Sequence, residues 1–359
     1  MKVTACSIVL VALSLLLVCV AASIEDGTAH VSYNGRVAFN ASEPHHVQFD
    51  WSGIEIRASG VEGGSGQLLI LLNEPQTPGN IYEVIIDGVV YPRLNTTSAK
   101  KAYVLATNLK PGKHEVLVRK LTEAFFGVVS FMGFLQSDGQ VIFNPPTSNV
   151  RRFPLDFTCG YGVEGHHPCS FSPYTENYSK YSNGSQSCWS CFVVISTYAA
   201  VIARTVGAQY HVECWSGKGV VRNYDWPNIT APEPFPVDFP RTLANVATSS
   251  WDFNEWQPHA VLVNIGSNDY STKPTPPPEL FESRAKAFME GIRANPSWAG
   301  TCASTSRRPS RRCATRTTSI SRTFSTSLRT SVATATPTVG QQKMANAILP
   351  VVREAMGWH

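Results

Sequence analysis

The chain has 359 residues, 43% of them hydrophobic and 16% charged, with a formal charge of +4. That composition excludes a disordered chain, and the length excludes a single small core, so two domains are expected. The basic balance does not mark a nucleic-acid binder. The window 301–338 holds seven arginines and no Asp, Glu or Lys, and without it 23 basic residues face 26 acidic ones.

Residues 1–23 read as a secretory signal. Lys2 is the only charge, an apolar run extends from Ser7 to Val20, and Val20-Ala21-Ala22-Ser23 supplies small residues for cleavage. The run is short for a membrane span, and nothing later is longer. A secreted, extracellular chain that leaves the membrane after cleavage is therefore expected. Five sequons agree with that route, at Asn40, Asn95, Asn177, Asn183 and Asn228. Beyond the signal seven cysteines remain: Cys159, Cys169, Cys188, Cys191, Cys214, Cys302 and Cys313. An odd count in a secreted chain implies a free thiol, an intermolecular bridge or a fault in the sequence. Cys188 and Cys191 form a CxxC with no second pair at zinc spacing, so a metal site is not expected; no organic cofactor is expected either.

Residues 24–147 alternate in the manner of strands. Runs fall at 45–51, 54–58, 67–72, 81–86, 102–106, 114–120, 127–134 and 140–143. Turn pairs such as Gly63-Gly64, Asp87-Gly88 and Pro111-Gly112 separate them, which predicts a β-sandwich or jelly roll. Asn144-Pro145-Pro146 reads as the linker. From Arg151 onward strands alternate with helices, which predicts a parallel α/β sheet over 148–359. The helices fall at 197–206, 240–246, 279–293 and 340–356, and the strands at 209–215 and 261–265.

Two segments interrupt this pattern. Twenty-six of the 38 residues in 301–338 are Ser, Thr or Arg, yet the helix that follows looks like a core element of the domain before it. The codons for Val332 to Thr338, read from the preceding third base, permit Gly-Cys-Asp-Gly-His-Pro-Asn. A frameshift between about Thr301 and Thr338 would thus have overwritten a histidine placed just before the last helix. Tyr181 to Ile195 is the second interruption, either a loop closed by Cys188 and Cys191 or translated intron.

The chemistry concentrates where apolar strands end. In VLVNIGSNDYS at 261–271, Gly266 lets the chain turn and Asn268 presents an amide donor above the sheet. HVECWSGKGVVRNY at 211–224 does the same with Gly217. Open α/β sheets place function at such carboxyl ends, and donors fixed there can hold an oxyanion.

The motifs WSGKGVVRNY, NIGSNDYS and TCGYGVEG resemble the SGNH (GDSL-type) hydrolases of the carbohydrate esterase family 2 kind. Gly35-Arg36, FDWSGIEI at 49–56, YEVIIDG at 82–88 and KLTEAFFGVVSFMGF at 120–134 extend the resemblance over an N-terminal jelly roll. It covers nearly everything from about 30 to 300 and from 339 to 358. It implies a β-sandwich followed by an α/β/α SGNH domain that removes acetyl esters from polysaccharides by a Ser/His mechanism. Gly217 would donate its backbone N–H and Asn268 its side-chain amide to the oxyanion. The cleft aromatics Trp215 and Tyr224 would meet a sugar.

The chain departs from that pattern twice. No serine lies between Ser148 and Ser170, where the resemblance places Gly-Asp-Ser before TCGYG; Asp156 stands for the aspartate of the lost motif. Thr158 and Cys159 read as structural neighbours of the missing serine. After the GSND block the only histidine is His359, and none precedes Gly340. His166 and His167 read as loop residues, and His211 as a satisfied strand histidine. The expected partner is an acetylated polysaccharide or oligosaccharide, met by a monomer. The rival expectation is a non-catalytic carbohydrate-binding protein, an inactive esterase homologue.

Overall fold

The computed structural model describes residues 29–39, 42–43, 45–74, 79–136, 138–144, 154–159, 197–256, 258, 260–295 and 337–356; for 154–159, 337–341 and 355–356 it gives backbone only. The signal segment, Asn40, Asn177, Asn183, His166, His167, His359 and the stretches 181–195 and 301–336 lie outside them. So do all the cysteine side chains except that of Cys214, which is disulfide-bonded. No helix among the described residues is long and apolar enough to cross a membrane.

Eleven strands build the N-terminal sandwich: β1 (His30–Asn34), β2 (Ala38–Phe39), β3 (Val47–Phe49), β4 (Glu55–Gly63), β5 (Gln67–Asn73), β6 (Ile81–Ile86), β7 (Val89–Asn95), β8 (Ala102–Thr107), β9 (Gly112–Lys120), β10 (Val129–Leu135) and β11 (Val141–Ile142). One sheet runs β1-β4-β9-β6-β7; the other runs β2-β3-β10-β5-β8, with β11 on β10. All of their pairings are antiparallel. Alternation carries this arrangement: in β5, Leu68, Ile70 and Leu72 are buried between more exposed neighbours. Asn144 then ties the end of the sandwich to its start. Its Oδ1 accepts from the Val31 N–H at 2.7 Å, and its carbonyl accepts from the Tyr33 hydroxyl at 2.7 Å.

The second part holds β12 (Pro154–Cys159), α1 (Tyr198–Val206), β13 (Gln209–Cys214), α2 (Phe235–Asp238), β14 (Ala260–Asn264), α3 (Ser267–Ser271), α4 (Pro278–Arg293) and α5 (Pro337–Met356). Its strands pair in parallel in the order β13-β12-β14. Helix α1 starts on the Thr197 hydroxyl, which accepts from the Ala200 N–H, and stops at Gly207 in the left-handed region. Helix α5 packs on α1: Ala345 is buried with Ala199, Ala200, Ile202 and Ala203. The terminal helix is thus a core element, as its sequence suggested.

One expected helix is absent. Residues 240–246 form turns, and the helix lies earlier, at Phe235–Asp238. The N–H groups of Ala244 and Asn245, which a helix would have left for its own first turn, donate instead to the two carboxylate oxygens of Asp50 at 2.9 and 2.8 Å. A carboxylate from the sandwich outcompetes local helix formation here.

The seam between the two parts is polar and buried. Arg36 Nε lies 3.1 Å from Glu213 Oε1, with both side chains about 1% exposed. The Arg36 guanidinium also donates to the carbonyls of Phe239 and Arg241 and lies over the Phe239 ring at 4.8 Å. Trp51 Nε1 donates to the Arg241 carbonyl, and Ser52 bridges Val212. The apolar core is continuous across the seam, with Phe235, Phe239 and Ala244 joining Phe49, Trp51 and Ile54.

Candidate active site

The order β13-β12-β14 is itself informative. From β12 the chain goes first to one side and then to the other, so a topological switch point lies at the carboxyl end of β12. There Cys159 stands in register with Cys214 and Asn264, and the next residues of β13 and β14 are the two motif loops. Asp156 sits three residues before that end, in register with His211 and Val261.

Gly217 and Asn268 come together. Asn268 is buried, and its Nδ2 donates to the carbonyl of Lys218, the residue after Gly217, at 2.8 Å. Gly217 has φ +84°, a conformation that costs an L side chain energy wherever there is room for it. Its carbonyl accepts from the Tyr224 N–H at 2.7 Å. The two candidate donors are therefore held by one short loop, Trp215 to Tyr224.

Asp269 fastens that loop. Its carboxylate is fully buried and accepts from three consecutive N–H groups, those of Val220, Val221 and Arg222, at 2.7–2.9 Å. Burial pushes its carboxyl above the ordinary range, and those N–H groups pull it back down. Arg222, also fully buried, donates back to the carbonyls of Trp226, Thr272 and Lys273 and to the Thr272 hydroxyl. Asp269 and Arg222 lie inside the two motifs, yet only the fold shows that they clamp one motif onto the other.

Gly219 is packed inside the clamp. A Cβ there would lie 2.0 Å from the Arg222 carbonyl oxygen and 2.5 Å from Asp269 Oδ2. Gly219→Ala is expected to cost roughly 2–3 kcal/mol, since backbone must move to admit the methyl. Urea denaturation of the full chain would measure it; a loss under about 0.5 kcal/mol would show that the clamp is soft.

The aromatics divide. Trp215 is half-buried against the shared core and carries the Lys218 ammonium 4.3 Å above its ring. That ammonium is committed to Asp238 Oδ2 at 2.7 Å and to the Glu233 carbonyl at 2.9 Å. Tyr224, 46% exposed, is the more exposed aromatic of the pair. His211 belongs to the seam and not to the switch point. Its Nε2 accepts from the Gly35 N–H at 3.1 Å and its ring stacks on Trp256 at 3.6 Å. Burial, reinforced by the Arg36 charge, keeps it neutral by pulling its pKa well below the usual imidazole range. Among the described residues no group of three or more His, Cys, Asp or Glu is arranged to hold a metal ion.

Comparison with known proteins agrees with this frame. Residues 33–146 match the carbohydrate esterase 2 N-terminal family. The chain is 31% identical over 67% of its length to the cellulase/esterase CelE of Acetivibrio thermocellus, of which it spans 27%. It is 26% identical over 68% of its length to an acetylxylan esterase / glucomannan deacetylase of Cellvibrio japonicus, of which it spans 61%. The chain thus spans less than two thirds of these curated relatives. A family two carbohydrate esterase from Clostridium thermocellum, solved in complex with cellohexaose, shares the fold. Its TM-score is 0.64 at 21% identity, over 92% of this chain and all of that one. Residues 33–146 are thus a carbohydrate esterase 2 N-terminal domain, and the chain as a whole is similar to the family 2 carbohydrate esterases.

Proposed function

We propose that the chain is built on the scaffold of a secreted, monomeric carbohydrate O-acetyl esterase, a jelly roll over 24–147 followed by an α/β/α SGNH domain over 148–359. Its substrate class is acetylated polysaccharide. The observation that carries the reading is the contact of Asn268 Nδ2 with the Lys218 carbonyl, which puts the Asn268 amide beside the Gly217 turn at the sheet's switch point. In the complete reaction a serine hydroxyl attacks the acetyl carbonyl and a histidine takes its proton. The Gly217 N–H and the Asn268 amide hold the oxyanion, its collapse expels the sugar hydroxyl with the proton from the histidine, and water then hydrolyses the acetyl-serine to acetate and free serine. The sequence supplies neither the serine before Thr158 nor the histidine before Gly340. Those two gaps favour a second reading for the chain as it stands, a binding protein that grips acetylated glycans through surfaces such as Tyr224 and does not cleave them.

The full chain, assayed for acetate release from acetylated xylan and for retention on that polymer, separates the two. Retention with acetate at the buffer level supports binding without cleavage. Acetate release that drops on Asn268→Ala supports catalysis by this chain. Neither release nor retention would sink both readings.

A further inference from the structure

A peptide N–H can serve as an oxyanion donor only if its plane is held still, and a glycine at positive φ does not hold itself. The plane that carries the Gly217 N–H lies between Ser216 and Gly217. On its far side the chain is fixed by the Tyr224 N–H on the Gly217 carbonyl. On its near side the fastening comes from the other domain, where the Ser216 N–H donates to Glu123 Oε2.

Glu123 is well placed for that task. It follows β9 at the start of the turn Ala124–Phe126 and is 2% exposed. Lys120 Nζ grips its carbonyl at 3.0 Å, together with those of Asp50 and Thr122 at 2.9 Å each. The next carbonyl, of Ala124, accepts from Asn245 Nδ2 at 2.8 Å. The other carboxylate oxygen of Glu123 has no hydrogen-bond partner among the described residues, so its one bonded oxygen is spent on the Ser216 turn. We propose that Glu123 is a positioning residue: reaching across from the sandwich, it fixes the Ser216–Gly217 turn and thereby aims the Gly217 N–H. This rests on the oxyanion-hole reading above.

The groups that face Glu123 are few. Lys120 lies on its own side, neighboured by the Asp50 carboxylate, which is occupied by Ala244 and Asn245. On the other side the turn brings Lys218, paired with Asp238. Burial raises the Glu123 carboxyl to about 7, against the pull of the Ser216 bonds and the Lys120 charge. A fastener of this kind titrates near neutral pH, where carboxylates ordinarily do not.

The test uses the full chain labelled with ¹⁵N-glycine and ¹⁵N-serine, with acetate as the probe, its carboxylate standing in for the oxyanion. The Ser216 and Gly217 amide signals are expected to titrate near pH 7 and to stay flat in Glu123→Gln, which keeps an acceptor oxygen but no charge. Acetate binding seen at Gly217 should survive Glu123→Gln and weaken about tenfold or more in Glu123→Ala. Asn34→Ala removes a contact to the Tyr210 carbonyl across the same seam without touching Glu123 or the Ser216 turn, and should leave acetate binding within about twofold of the parent. A titration that persists in Glu123→Gln overturns the proposal, as does an equal loss of acetate binding in Asn34→Ala. If Glu123→Ala fails to fold, the Gln variant alone still decides it. Acetate that binds away from Gly217, with the Glu123-dependent titration intact, sinks the oxyanion-hole reading and leaves Glu123 as the fastener of the turn.

Discussion

Restoring a Gly-Asp-Ser ahead of Thr158-Cys159-Gly160, and an Asp-x-His-Pro in place of the residues ahead of Gly340, is expected to raise acetate release from acetylated xylan by roughly 10⁴–10⁶-fold over the present chain. Nucleophile and base act as a unit, so losing either costs nearly as much as losing both, and neither half-restoration should recover the rate. What remains without them is the oxyanion hole and substrate binding. In the restored chain Asn268→Ala should then cost about 10²–10³-fold in turnover, the price of one oxyanion donor. The insertion point lies inside β12, whose register with β13 and β14 runs through Cys159, so the restored motif would take the last positions of the strand and displace Thr158 and Cys159 beyond them. A doubly restored chain that folds and still releases no acetate would remove the esterase reading. Sequencing the transcript across codons 148–200 and 295–342 shows whether the restored text is the native one.

Glu213→Ala is expected to destabilise the chain by about 3–5 kcal/mol, because it strands the Arg36 guanidinium in a buried, aromatic-walled site. The partner is 1% exposed, so water cannot take the place of the carboxylate. The pair Arg36→Met with Glu213→Leu removes both charges and should cost less than the single change. It will not be free, since the carbonyls of Phe239 and Arg241 lose the donor they share. Urea unfolding of the three proteins measures both statements. A Glu213→Ala loss below about 1 kcal/mol would mean that the seam admits water and is weaker than its burial implies.

What could be read from the sequence follows from physical range. Strands β5, β6 and β9 alternate cleanly, and their bounds were legible because burial acts residue by residue along them. Strand β7, VVYPRLN, was not: it is an edge strand interrupted by Pro92, with Val89 and Val90 60% and 65% exposed, so no buried face marks it. The same holds for β1 and β2, which are short, and for the turn at 240–246, whose conformation is dictated by Asp50, nearly two hundred residues away. At the candidate site, Gly217 and Asn268 could be singled out because each follows the end of a strand. Asp269 was visible as a letter of its motif but not as a clamp. Glu123 carried no local signal, since its partner Ser216 lies 93 positions later and nothing in KLTEAFF announces a bond to it.

The seam also bears on whether the two parts can be exchanged between proteins. Most linked domains meet through surfaces that water could cover equally well, which is why such units can be shuffled, excised or expressed alone. Here each half does for the other what solvent would otherwise do: Glu213 answers Arg36, Asp50 answers two peptide groups, and Glu123 answers a third. Cut at residue 147, either fragment would carry a face of charges and amides shaped for an absent counterpart. The sandwich is in this sense an inseparable half of one scaffold and not an appendage to it.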